Sequence, residues 1–195
     1  MLEKVKAGEV SVEEAEKYFA RKSFEDMGYA KLDTYREIRS GYLEVVYCSG
    51  KADQHLLKIF ETLYRENGEV LGTRASKEQY ELVKKSIPDI CYDAVSRILK
   101  TEKAQKEHTG NIAVCTAGTA DIPVAEEAAQ TAEYFGNKVE RIYDVGVSGI
   151  HRLLARVDVI RAANCVVAVA GMEGALASVI GGLVERPVIA VPTSV

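Results

Sequence analysis

His151 and Arg152 stand together just after Gly146-Val147-Ser148-Gly149, Glu173 interrupts the apolar and glycine-rich stretch from Val169 to Leu176, and Gly118-Thr119-Ala120-Asp121 follows an apolar run. These residue types can do chemistry. Imidazole titrates near neutrality, which suits His151 to acid–base work. A carboxylate facing apolar neighbours is harder to ionise, which suits Glu173 to proton transfer. A guanidinium matches phosphate or carboxylate geometry, so Arg152 is a candidate anion contact. A small polar turn that opens a helix offers N–H groups without intrahelical partners, and the helix dipole favours negative charge there by about 0.3–1 kcal/mol when exposed. Each residue also has a plainer reading: Thr119 or Asp121 as a helix cap, His151 as a structural first-turn residue, Arg152 as a surface cation.

The elements that must position these residues repeat one pattern. An apolar run from Ile112 to Cys115 breaks at Thr116-Ala117-Gly118-Thr119-Ala120-Asp121 and restarts as an amphipathic helix near Pro123. Lys138 to Asp144 reads as a second strand, ending at Val145-Gly146-Val147-Ser148-Gly149 before a helix that carries His151 and Arg152. Cys165 to Ala170 is a third, ending at Gly171-Met172-Glu173-Gly174 before a helix to about Val184, and Pro187 to Val191 is a fourth, ending at Pro192-Thr193-Ser194. Strands alternating with helices imply βαβ units, whose right-handed crossovers build a parallel sheet. Continuous apolar runs such as Cys165 to Ala170 suit strands covered on both faces. In such a sheet all strand C-termini share one edge, so the three polar turns converge although they are far apart in sequence.

The 195 residues suffice for one large or two small domains, and 47% apolar content supports a true core. Net charge is −4 with acids and bases interspersed, which argues against nucleic acid or an anionic membrane surface as partners. No apolar stretch reaches the ~20 residues that span a bilayer, and residues 1–12 are too charged for a secretory signal, so a cytoplasmic location is expected. The cysteines at 48, 91, 115 and 165 lack metal-ligand or CxxC spacing and read as structural thiols.

The N-terminal half has a different texture. Ser11-Val12-Glu13-Glu14 and Ser76-Lys77-Glu78-Gln79 carry capping-box patterns; the first opens a charged helix to about Asp26, the second a helix ending before Pro88. Tyr42 to Tyr47 and Glu69 to Gly72 read as short strands flanking a helix from about Asp53 to Glu66, while Tyr92 to Leu99 fits a strand or a helix turn. Asp33, Arg36, Arg39 and Gly41 invite a phosphate-binding reading, with a solvated helix face carrying i,i+3 pairs the favoured alternative. The charged stretch from Thr101 to Gly110 is the candidate linker between residues 1–108, a smaller α/β domain, and residues 109–195. The chain ends at Val195 just past the fourth strand, where apolar surface calls for a missing helix or a partner subunit.

With these turns located, the chain closely resembles the LarB family, the pyridinium-3,5-biscarboxylic acid mononucleotide synthases of nickel-pincer nucleotide biosynthesis. The resemblance rests on residues 116–127, on Arg141 through Asp144 to Arg152, and on Val169 to Leu176. The region of Arg36, Arg39, Gly41 and Glu44-Val45-Val46 extends it over most of the chain. More distantly, the C-terminal half is similar to the aminoimidazole ribonucleotide carboxylases and mutases. That family has a Gly-Ser-x-Ser-Asp turn near Gly118-Thr119-Ala120-Asp121 and a Ser-Ala-His-Arg turn at Gly149-Ile150-His151-Arg152.

The resemblance implies a flavodoxin-like three-layer sandwich, α/β in class, assembled as a homo-octamer. It implies nicotinic acid adenine dinucleotide and carbon dioxide as substrates: C5 of the pyridinium ring is carboxylated and the phosphoanhydride is cleaved, releasing AMP, with Mg2+ assisting. It assigns Gly118, Thr119, Ala120 and Asp121 to the nicotinate ribose and its phosphate. Catalysis then falls to His151 and Glu173, substrate contact to Gly146, Ser148, Arg152, Gly171, Met172 and Gly174, and contact with substrate or magnesium to Asp144. An electron-poor ring needs a nucleophile at C4 before C5 can attack carbon dioxide, and a thiolate is the natural choice. The family carries that cysteine in an Asn-Ser-Cys segment beyond Val195, and none of the four cysteines here corresponds to it. Two alternatives accompany this reading: an aminoimidazole ribonucleotide carboxylase or mutase, and a nucleotide-binding module without the catalytic end.

Overall fold

In the computed structural model, residues 1–20, 24–102 and 108–194 are described. The N-terminal region begins with α1 (Leu2–Lys6), α2 (Val12–Phe19), the short hairpin β1 (Glu25–Asp26) and β2 (Lys31–Leu32), and α3 (Arg36–Ser40). It continues with β3 (Val45–Tyr47), α4 (Asp53–Asn67), β4 (Val70–Thr73), α5 (Lys77–Lys84), β5 (Cys91–Asp93) and β6 (Ile98–Thr101). The C-terminal region runs β7 (Asn111–Thr116), α6 (Ile122–Tyr134), β8 (Lys138–Ile142), α7 (Ile150–Leu154), α8 (Val157–Arg161), β9 (Cys165–Ala170), α9 (Ala175–Leu183) and β10 (Val188–Pro192).

The C-terminal sheet is wholly parallel in the order β10-β9-β7-β8, with Ile112 opposite Val139 on one side and Cys165 on the other. Its alternating side chains divide between two cores. Ala113, Cys115, Ile142, Val166 and Ala168 pack under Leu153, Ile160, Leu176 and Ile180 of α7, α8 and α9. Val114 and Val169 pack under Ala125 and Ala129 of α6. Helices on both faces of a parallel sheet, with the first crossover running away from the others, make the flavodoxin-like α/β arrangement. The order reverses between β7 and β9, so a crevice opens where their C-terminal ends diverge.

The N-terminal sheet is mixed, in the order β3-β4-β6-β5, with β3 parallel to β4 and the other pairs antiparallel. Its main core joins Val46, Leu56, Phe60, Leu63, Val83 and Leu99 on the side of α4 and α5. On the opposite side Leu71 and Ile98 meet Tyr134 at the end of α6.

Several boundaries depart from the sequence expectation. The helix begun by Ser11 forms its capping box, Ser11 Oγ accepting from the Glu14 N–H at 3.1 Å, but stops at Phe19. Of its expected continuation, residues 21–23 lie outside the described residues and Glu25–Asp26 form β1, which turns into β2 where Asp26 Oδ1 accepts from the Gly28 N–H at 2.8 Å and Gly28 takes φ 82°. The segment from Tyr92 to Leu99 holds parts of two strands. Asp93 Oδ1 accepts from both the N–H and hydroxyl of Ser96 at 2.7 Å, and Arg97 takes φ 58°, turning the chain between β5 and β6. The strand read from Tyr42 begins only at Val45, and the helix carrying His151 is divided into α7 and α8. The expected linker starts inside β6, where Thr101 is buried and accepts from the Val70 N–H at 3.1 Å. Its middle, residues 103–107, lies outside the described residues.

Candidate active site

Thr116, at the end of the central strand β7, fixes the edge. Its hydroxyl accepts from the Asp144 N–H at 2.9 Å and its carbonyl accepts from the Val145 N–H at 2.9 Å, so the turn after β8 hangs from β7. The Ala117 N–H donates to Val169 O at 3.0 Å and the Thr193 N–H to Ala170 O at 3.0 Å, which ties in the ends of β9 and β10. Gly146 lies against the first turn so closely that a Cβ there would stand 2.6 Å from Ala117 O.

Asp121 is 3% exposed. Its Oδ2 accepts from the Gly118 N–H at 2.9 Å and its Oδ1 accepts from the Thr193 hydroxyl at 2.7 Å. A buried carboxylate with both oxygens so engaged holds the loop's shape. Thr119–Asp121 form one 3₁₀ turn that feeds directly into α6.

Around this frame lies an open cleft of about 400 Å³. The first turn contributes Ala117, Gly118, Ala120 and Asp121, the second Gly146, Val147 and Ser148, and the third Gly171, Met172 and Glu173. Ala170, Ala175 and Leu176 complete the wall. No cation lines it. Backbone N–H groups at the starts of α6 and α9 are what such a cleft offers an anion, while its small apolar walls admit a flat ring.

Two comparisons bear on this arrangement. Residues 24–104 match the LarB/PurE-like N-terminal domain, and residues 111–195 match AIR carboxylase. The uncharacterized protein MJ0165 of Methanocaldococcus jannaschii is 39% identical over 201 residues, covering 97% of this chain and 78% of that protein. The chain belongs to the LarB-like AIR carboxylase family. A carboxylase-type function goes with that membership.

The residues singled out in the sequence fall into two groups. Gly118, Ala120, Asp121, Gly146, Ser148, Gly171, Met172 and Glu173 all line the cleft. Thr119, Asp144, His151, Arg152 and Gly174 do not. Asp144, at φ 58°, accepts from Arg152 Nη1 at 2.6 Å, so these two satisfy each other beside the cleft. His151 is exposed on the first turn of α7. The sequence argument for a desolvated Glu173 is not met within one chain: the residue stands at the cleft mouth, exposed, next to Met172 at 92% exposure. Thr116 and Thr193, without an expected role of their own, complete the edge through hydrogen bonds that only the folded sheet creates.

Among the described residues no group of three or more His, Cys, Asp and Glu side chains could hold a metal ion. Since both oxygens of Asp121 are engaged, Glu173 is the one open carboxylate among the described residues that line the cleft, and these residues do not form a magnesium site by themselves. Among the described residues no helix is long and apolar enough to cross a membrane.

Proposed function

We propose that this protein acts on nicotinic acid adenine dinucleotide, seating the nicotinate ribotide in the cleft for carboxylation of the pyridinium ring at C5 and cleavage of the phosphoanhydride. The observation that carries the reading is the cleft itself, a switch-point crevice built from three glycine-rich turns whose backbone N–H groups suit a ribose phosphate and whose alanine walls suit a planar ring. The purine-pathway reaction is disfavoured because Ala170-Gly171-Met172-Glu173-Gly174 differs from the Ala-rich loop of the aminoimidazole ribonucleotide carboxylases.

The chain's own residues divide the work. Asp121, locked by Gly118 and Thr193, keeps the first turn open to the phosphate. Glu173, which lines the cleft at its mouth, is assigned the C5 proton once carbon dioxide has added. The thiol addition at C4 is assigned to none of the four cysteines. Burial pushes the Cys48 and Cys115 thiols up to about 12, Cys91 lies on β5, and Cys165 starts β9 at the end of the sheet away from the cleft. The proposed protein is a homo-oligomer, which the exposed Ile150, Leu154, Met172 and Ile189 support.

Calorimetric titration separates the readings. Saturable binding of nicotinic acid adenine dinucleotide without binding of aminoimidazole ribonucleotide is expected, and the reverse preference overturns the proposal. With bicarbonate and magnesium present, mass spectrometry reads the carboxylated mononucleotide and AMP. Glu173→Gln is expected to lower that product by about 10²–10⁴ while dinucleotide binding persists.

A further inference from the structure

The two sheets point the same way. On α6, Tyr134 packs against Leu71 of β4, whereas Glu127, seven residues nearer the helix start, pairs with Arg74 just past the end of β4. β4 therefore runs antiparallel to α6, as β7 does, and both strands deliver their C-terminal ends to the same side of the molecule. From Glu127 back to Asp121 in the cleft wall is about 9 Å at 1.5 Å per residue.

The edge so presented by the N-terminal sheet carries three cations, with Asp53 and Asp93 as its own carboxylates and Glu127 reaching it from α6. Lys51 follows β3, Arg74 follows β4, and Arg97 leads into β6. Arg74 is neutralised by Glu127. Arg97 donates to Ala75 O at 3.0 Å and Arg74 O at 3.2 Å, backbone acceptors that leave its charge uncompensated. Lys51 and Arg97 both lie near the buried Cys48, where their positive charge opposes the thiol's rise. Among the described residues neither has a carboxylate partner. Two cations without a carboxylate partner thus stand at strand ends on the same side of the molecule as a cleft that has no cation among its described lining residues, an arrangement that can take an anion from outside the fold.

Building on the dinucleotide reading, we infer that Lys51 and Arg97 hold the adenylate phosphate of a pyrophosphate-linked dinucleotide whose other ribotide occupies the cleft. The N-terminal domain is then a second half-site. A dinucleotide bridges the two domains along the start of α6, and a mononucleotide uses the cleft alone. This division also positions the phosphoanhydride between the half-sites, where it is to be cleaved.

The Lys51 side chain makes no hydrogen bond among the described residues, so Lys51→Glu changes the charge without disturbing the turn that Arg97 ties. Calorimetry on the full chain with nicotinic acid adenine dinucleotide and with nicotinic acid mononucleotide gives the test. Wild-type protein is expected to bind both, and Lys51→Glu to weaken the dinucleotide at least about tenfold with the mononucleotide unchanged. Unaltered dinucleotide affinity in Lys51→Glu, or equal weakening of both ligands, overturns the inference and leaves the cleft assignment standing. Wild-type protein that binds neither ligand overturns the cleft assignment, and the half-site with it.

Discussion

Gly146 shows what a single position contributes. Its φ of −59° and ψ of 154° are open to any residue, so its requirement for glycine is steric: a methyl group would meet the Ala117 carbonyl at 2.6 Å, and that oxygen is backbone. Gly146→Ala is expected to push the second turn away from the first and cost about 1–3 kcal/mol, as overpacking does. Urea denaturation reads the cost. Gly118→Ala is the control, since its Cβ would come no nearer than 3.9 Å to Asp121 Oδ2. Equal stability of both variants with wild type would show that the approach of the two turns is not constrained. At this scale the sequence was legible in part. Glycines and small polar residues at strand ends marked the cleft, but the divergent fates of Asp121 and Asp144 were not visible. One is spent on Gly118 and Thr193 and the other on Arg152, and both depend on partners brought close only by strand order. His151 read as catalytic by type and neighbourhood, and the fold places it outside the cleft lining of its own chain.

The strand and helix scale was the most legible, because periodicity and capping are local. All four parallel strands, both capping boxes and the starts of α6 and α9 lie where residue pattern puts them. Turns that depend on side chain to backbone bonds were not legible: Asp26 with Gly28 turns β1 into β2 where pattern reads the end of a helix, and Asp93 with Ser96 separates β5 from β6 where pattern reads one element. α6 is also held by a network no local pattern predicts. Arg141 of β8 donates to Glu126 at 2.9 Å and to Glu133 at 2.6 Å, and the Tyr143 hydroxyl donates to Glu126 at 2.7 Å. Burial alone would raise the Glu126 carboxyl, but the bonds from Arg141 and Tyr143 outweigh it and hold the group below the ordinary carboxylate range. A carboxyl whose folded value is depressed stabilises the fold above its unfolded value of about 4.3, and that contribution is lost as pH falls through the folded value. Arg141→Met is therefore expected to be less stable at pH 7 by about 1–3 kcal/mol, because it strands two partly buried carboxylates. Its stability should also fall less steeply than wild type below about pH 5. Urea titrations across pH check both, and an acid limb parallel to wild type would remove Glu126 from the acid response.

For the whole molecule, the surface left apolar by the single chain is the leading fact. Ile189 on the edge strand β10 is 53% exposed, Leu154 on α7 is 47% exposed, and Met172 at the cleft mouth is almost wholly so. An edge strand also carries unpaired N–H and C=O groups, and an exposed apolar edge favours pairing or covering by another chain. At about 25 cal/mol per Å² of apolar surface removed from water, residues of this size each contribute on the order of 1–2 kcal/mol when covered, set against a cost of association of several kcal/mol. A few such residues per contact, repeated by symmetry, are what a stable closed assembly needs. Sedimentation velocity on the purified chain is expected to give a species several times the 21.3 kDa protomer. Ile189→Glu and Leu154→Glu are each expected to shift it toward the protomer. Because Met172 borders the cleft, assembly that covers it would also shape the ligand site, so the dissociated variants should bind the dinucleotide more weakly, and wild-type affinity should fall on dilution through the dissociation range. A wild-type protein that sediments at 21.3 kDa at micromolar concentration would refute the assembly and leave the cleft, as seen in one chain, to work with its mouth open.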